Sequence, residues 1–183
     1  MILVVLYGDA DDAQIGKELS AILACHGGVL HIRSSQSVHH SPDGGQTDFV
    51  LYECDTAPRF ETEKGIFVFK NKISRYAGLK VPKGWLAVVD AGNVSALSVL
   101  QKSGISAVTC GMSAKDTLNL SSSKEFSAVV SFQRQMYSLS GQEVDEQDVP
   151  VRLEKEMDPY VILSACAVLA LADRQPQDTM DIF

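Results

Sequence analysis

Positive charge is scarce in this chain. Sixteen Lys and Arg stand against 23 Asp and Glu across 183 residues, a net charge of −7. A protein that binds a phosphate backbone releases counterions through surplus cations, and no surplus exists here, which argues against a nucleic-acid partner. No apolar run reaches the roughly 20 residues that a helix needs to cross a bilayer. The apolar opening at residues 2–7 has no basic flank and stops at Gly8-Asp9, so it reads as a strand rather than a signal peptide. A cytoplasmic protein with no membrane partner is the expectation. Cysteine is sparse too: Cys25, Cys54, Cys110 and Cys166 form no CxxC pair, so a zinc ribbon and a thioredoxin-type redox motif are both missing. Three of the four lie in apolar patterns and read as small buried residues kept reduced. Among the histidines, His39-His40 fall in the polar stretch 34–45, which has the composition of an exposed loop, and two neighbours alone do not make a ligand set.

What is present is an alternation of short apolar runs with helical patterns. Residues 2–7 form a continuous apolar run bounded by Gly8, the mark of a buried strand. Over 11–25, Ala13, Ile15, Leu19, Ile22 and Leu23 recur at helical spacing, and Gly27-Gly28 end the pattern. Strands follow at 29–32, 49–53, 65–69 and 85–89. Asn93 is placed to cap a helix running to about Lys102, Gly104 closes it, and 105–110 is a sixth strand. Beyond Gly111, short strands at 118–120, 127–133, 135–139 and 149–153 read as a small antiparallel meander. Asp158-Pro159, an N-cap followed by proline at the first helical position, opens a last helix to about Asp173. The fold class expected is α/β, three-layer, with a P-loop-like, mainly parallel sheet and a small antiparallel meander. One domain spans 1–173, and 174–183 is a frayed tail.

In a strand–loop–helix opening, the loop after the first strand is the natural anion site, because backbone N–H groups and the helix N-terminus converge there. The sequence from Gly8 runs Gly8-Asp9-Ala10-Asp11-Asp12-Ala13-Gln14-Ile15 and does not read GxxxxGK[ST]. Ala13 stands at the second glycine, Gln14 at the phosphate-binding lysine and Ile15 at the magnesium-holding hydroxyl. Asp9, Asp11 and Asp12 suit the first turn of a helix through its macrodipole. The same carboxylates repel a triphosphate, at roughly 1–4 kcal/mol per pair of charges 4 Å apart.

These segments, in this order, resemble the central ATPase domain of the Mur ligase family, which includes the folylpolyglutamate synthases. The frame around 4–14 and the helix closed by His26-Gly27 are similar, without GTNGKT[TS]. Phe49-Val50-Leu51-Tyr52-Glu53 is similar to the strand that delivers a glutamate to magnesium. Ile66-Phe67-Val68-Phe69-Lys70-Asn71 resembles the strand ending in a TN motif, but lacks the Asp-His that follows it. Trp85 through Asn93 and Ala107 through Gly111 resemble the next strand–helix–strand unit, and 149–172 the meander and closing helix. The resemblance implies a nucleotide site vestigial at Gly8, Asp90 and Asn93, and a metal position at Glu53. A ligase of this family makes an acyl phosphate from ATP and a carboxylate, then joins it to an amine, using two flanking domains. The 183 residues match a lone central domain.

Three functional readings follow. The first is a non-catalytic Mur-ligase-like domain with a lost ATP-binding loop, acting as a binding or regulatory module, with ligase activity lost and no cofactor expected. The second is a divalent-metal or nucleotide-dependent enzyme that holds Mg²⁺ or ATP with the acidic cluster Asp9, Asp11, Asp12 and Glu53, together with Asp90. The third is a scaffold that binds a protein partner or a second copy through the closing helix, which is apolar almost all round. Burial of that helix in its own domain competes with this.

Overall fold

Alternation along the central strands sorts the core onto two faces of one sheet. The computed structural model describes residues 1–33, 37–41, 45–56, 59–74, 79–174 and 179–182. The chain forms β1 (Ile2–Tyr7), α1 (Gln14–Ala24), β2 (Val29–Arg33), β3 (Ser37–Ser41), β4 (Phe49–Cys54), β5 (Ile66–Phe69) and β6 (Leu86–Asp90). It continues through α2 (Val94–Ser103), β7 (Ala107–Gly111), β8 (Leu118–Lys124), β9 (Ser127–Phe132), β10 (Met136–Tyr137) and β11 (Glu143–Val144). The last elements are β12 (Gln147–Leu153), α3 (Pro159–Leu171) and β13 (Met180–Ile182). Eleven strands make one sheet in the order β13-β12-β9-β8-β7-β6-β5-β1-β4-β2-β3, mostly parallel. Only β3 and β9 run against their neighbours.

Val4, Leu6, Ile66, Val68 and Val88 face α1 and α3 in one cluster, while Val5, Tyr7, Phe67, Phe69, Ala87 and Val89 face α2 and the Trp85 region in another. A side-chain period of two and burial on both faces thus give the three-layer α/β arrangement that the sequence implies. Asn93 accepts the Ala96 N–H at 3.1 Å and Asp158 the Tyr160 N–H at 2.8 Å, as their positions before a helix require. Gly104, at φ 65°, closes α2 in the left-handed region where a Cβ is strained. Residues 160–171 of α3 are all buried, between the sheet and α1. The all-round apolarity of this helix is therefore used within the domain.

Three expectations are corrected. The acids of the first loop do not lie in a helical turn, because α1 begins only at Gln14 and its N-cap Ala13 offers no side-chain acceptor. The 34–45 stretch is not all loop: residues 37–41 pair antiparallel with β2, although His39 and His40 stay exposed. Residues 34–36 and 42–44 lie outside the described residues. The expected antiparallel meander is present: β8, β9 and β12 form it as an extension of the main sheet, and β10 and β11 pair as a separate hairpin. The tail is not frayed at its described positions. Arg174 pairs with Asp48 at 3.0 Å, and Met180–Ile182 adds to β12 with Met180 and Ile182 buried; residues 175–178 and 183 lie outside the described set.

Cys54, Cys110 and Cys166 are buried and Cys25 is exposed, and none of the four is joined in a disulfide. Burial pushes Cys54 and Cys166 up to about 12, and Cys110 upward as well, so their thiolates are suppressed. A disulfide reagent added to the native protein should consume one thiol of four, at Cys25, and the remaining three only after denaturant. Rapid reaction of a second thiol under native conditions would contradict this packing.

Candidate functional site

The parallel strands β2, β4, β1, β5 and β6 end on a common edge, where an open α/β sheet offers its crevice. Alternation decides what reaches that edge from the α1 face. Val29, His31 and Arg33 share a face of β2, as do Phe49, Leu51 and Glu53 in β4, and Ile66 and Val68 followed by Lys70 after β5. Register then brings these charged residues together. Arg33 pairs with Glu53, Glu53 with Leu6, and Phe69 with Tyr7, so Lys70 emerges beside Gly8.

Lys70 is 1% exposed and Glu53 4%. The Lys70 Nζ donates to Glu53 Oε2 at 2.8 Å and to the Asp9 carbonyl at 3.1 Å. Glu53 Oε1 meets His31 Nε2 at 2.7 Å and Arg33 Nε at 3.4 Å. Burial by itself raises the Glu53 carboxyl. The hydrogen bonds and charges of His31 and Lys70 outweigh it and hold the group below its ordinary value.

Two glycines make room for this pair. A Cβ on Gly8 would lie 2.5 Å from the Lys70 Cβ, so the lysine stem crosses the end of β1 only because Gly8 has no side chain. A Cβ on Gly16 would lie 2.2 Å from Glu53 Oε1, so the first turn of α1 rests directly on the carboxylate. Gly8 thus makes room for a lysine, at a position where the resemblance implied a vestigial nucleotide site.

The acids of the loop bond to separate partners. Asp9 turns to the segment after β5 and accepts Ser74 N at 2.8 Å and Ser74 Oγ at 2.5 Å. Asp12 accepts Lys72 N at 3.3 Å, and Asp11 is exposed. Asp90 folds back on the Gly92 N–H at 2.6 Å. Asn93, besides capping α2, donates to the Lys70 carbonyl at 3.3 Å. Among the described residues, no three His, Cys, Asp or Glu side chains gather as a metal-holding group. Asp9, Asp11, Asp12 and Glu53 do not form such a group. Gly8 and Asn93 both border Lys70, and Asp90 ends the strand next to β5.

Above the loop a cleft of about 100 Å³ remains between Asp12, Gln14, Asn71, Asp158 and Tyr160. Sequence reasoning missed Lys70, His31 and Arg33. The available signal was a charged residue on the inward beat of an apolar strand, as in Leu51-x-Glu53 and Val68-x-Lys70.

Removing one partner of a buried ion pair strands the other, so Lys70→Met should cost about 3–5 kcal/mol. Gly16→Ala, which gains about 1 kcal/mol in an ordinary helix, should instead lose about 1–3 kcal/mol from crowding Glu53. Urea denaturation of both variants checks these values, and a stabilised Gly16→Ala would refute the contact. Because the folded Glu53 value is depressed, its contribution is fully present above about pH 4.3, the unfolded value. It is lost as pH falls through the folded value. Stability of the wild type should therefore drop more steeply below that pH than stability of Glu53→Gln.

No family model matches the sequence, and no curated protein matches it. Among solved structures, the fold is similar to MurF from Acinetobacter baumannii, with a TM-score of 0.58 and 9% identity over 98% of this chain and 44% of that one. It is also similar to the murein peptide ligase Mpl from Psychrobacter arcticus 273-4, with a TM-score of 0.51 and 12% identity over 92% and 43% of the two chains. The chain thus spans less than half the length of either structure. At such identities the likeness is one of fold, and the fold is a Mur-ligase-like α/β domain.

Proposed function

We propose that this chain is a non-catalytic Mur-ligase-like domain whose ATP-binding loop has been lost, and that it serves as a binding or regulatory module. The observation that carries the reading is the Lys70 ammonium, seated on Glu53 and on the Asp9 carbonyl. Where Glu53 would offer its carboxylate to Mg²⁺, it is already bonded to Lys70 and His31. A divalent ion there would have to displace a buried ammonium and lie among Lys70, His31 and Arg33. The residues present do not fit the metal.

They fit a nucleotide no better. The cleft of about 100 Å³ is well below the roughly 300–1,000 Å³ usual for ligand sites. Asp12 and Asp158 line it, and their carboxylates oppose phosphate oxygens. Acyl-phosphate formation needs donors fixed around the transferred phosphoryl group, and no lysine follows the first loop in position to supply one.

Isothermal titration of the protein with Mg–ATP should give no saturable heat into the millimolar range. Micromolar binding that Glu53→Ala or Asp11→Ala abolishes would overturn the proposal and favour a nucleotide-dependent enzyme.

A further inference from the structure

We propose that a hollow at the amino end of the sheet, opposite the candidate site, binds a small carboxylate with an apolar body through Arg134. The hollow holds about 270 Å³ between the starts of β6 and β7, the turn from β9 into β10 and the end of α3. That is just under the roughly 300–1,000 Å³ of sites for drug-sized ligands, and so suits a smaller one. The sheet itself leaves the space. β8 pairs with β7 only at Cys110 and Gly111, so among the described residues no strand lies beside Ala107 and Val108 on that side. The hollow lies against this open edge.

The lining is apolar at Leu86, Val108, Met136 and Leu171, and polar but neutral at Ser106, Thr117 and Gln135. Among the described residues, Arg134 is the one charged group in it, and no carboxylate belongs to it. Yet carboxylates are in excess in this chain, 23 against 16 Lys and Arg. The other described arginines use them: Arg33 pairs with Glu53, Arg59 with Glu61, Arg152 with Asp181 and Arg174 with Asp48. Arg134 pairs with none among the described residues. Its Nη2 donates instead to the Lys115 carbonyl at 3.0 Å, which anchors the guanidinium and leaves further N–H donors of its fork to spare. The Glu143 carboxylate is taken up by the Tyr137 hydroxyl, which donates to it at 3.2 Å. An anchored cation beside an apolar wall is complemented by a carboxylate on a short hydrocarbon body. The carboxylate accepts from the guanidinium fork, and the hydrocarbon covers the apolar wall. This inference does not depend on the reading of the first loop.

The test is a nitrogen–proton NMR titration of the full chain with cyclohexanecarboxylate, acetate, cyclohexylmethanol and cyclohexylammonium. Saturable shifts should map to residues 106–108 and 134–137, with cyclohexanecarboxylate tighter than acetate or the alcohol and the ammonium without effect. Arg134→Gln should weaken cyclohexanecarboxylate about tenfold, the usual worth of a charge-assisted hydrogen bond. Arg134 is exposed, so the variant should fold, and circular dichroism establishes that it does. Arg59→Gln, which removes an equal charge from an exposed arginine outside the hollow, should leave the affinity unchanged. Equal affinity for the alcohol and the carboxylate, or unchanged affinity in Arg134→Gln, would reduce the site to an apolar hollow and overturn the proposal. An equal loss in Arg59→Gln would overturn it too, by tracing the binding to net charge. Absence of saturable shifts at millimolar carboxylate would leave Arg134 a solvated surface charge and overturn it as well.

Discussion

Burying Lys70 and Glu53 side by side takes two charges out of water, a cost that only close and hydrogen-bonded contact offsets. The contact is close, at 2.8 Å, and His31 and Arg33 occupy the other carboxylate oxygen. Much of the local architecture exists to permit it. Gly8 lets the lysine stem pass, Gly16 lets α1 settle on the carboxylate, and the Asp9 carbonyl takes a second ammonium proton. Asn93 ties the Lys70 backbone to the start of α2. The pair thus joins β4, β5, the first loop and two helices at the one edge where a related fold would open.

The faces of the sheet are unequal, and this too follows from side-chain chemistry. On one, α3 lies buried from residue 160 to 171 and is held by packing with α1 and the sheet. Tyr160, at its first turn, donates to the Phe69 carbonyl at 2.6 Å, just before Lys70, and burial holds its phenol proton firmly in place. On the other, α2 covers only part of the surface, and Phe60 and Trp85, with ring centres 5.0 Å apart, cover more. The face that α1 and α3 cover is the one that carries the ion pair. Low local dielectric strengthens the pair and also makes it costly to break.

Much of the fold was legible in the residues. The parallel strands announced themselves as apolar runs between glycines, and Asn93, Gly104 and Asp158-Pro159 marked helix ends with side chains whose hydrogen bonding or backbone freedom the ends require. Strands β3 and β13 were not legible. Ser37–Ser41 carries few apolar residues and is a strand because β2 offers it an open edge, and Met180–Ile182 is one because β12 does. Such strands are made by their neighbours rather than by propensity.

The candidate site divides in the same way. From the sequence alone came the apolar strand leading to Gly8, the missing phosphate lysine, the acids of the loop and the single glutamate worth noticing. Those are local facts, fixed by which residue follows which. That Lys70 meets Glu53 was decided only in three dimensions. Seventeen positions separate the two along the chain, and β1 lies between their strands. Strand order and register set that encounter, and neither is written in the spacing of residues along any one strand.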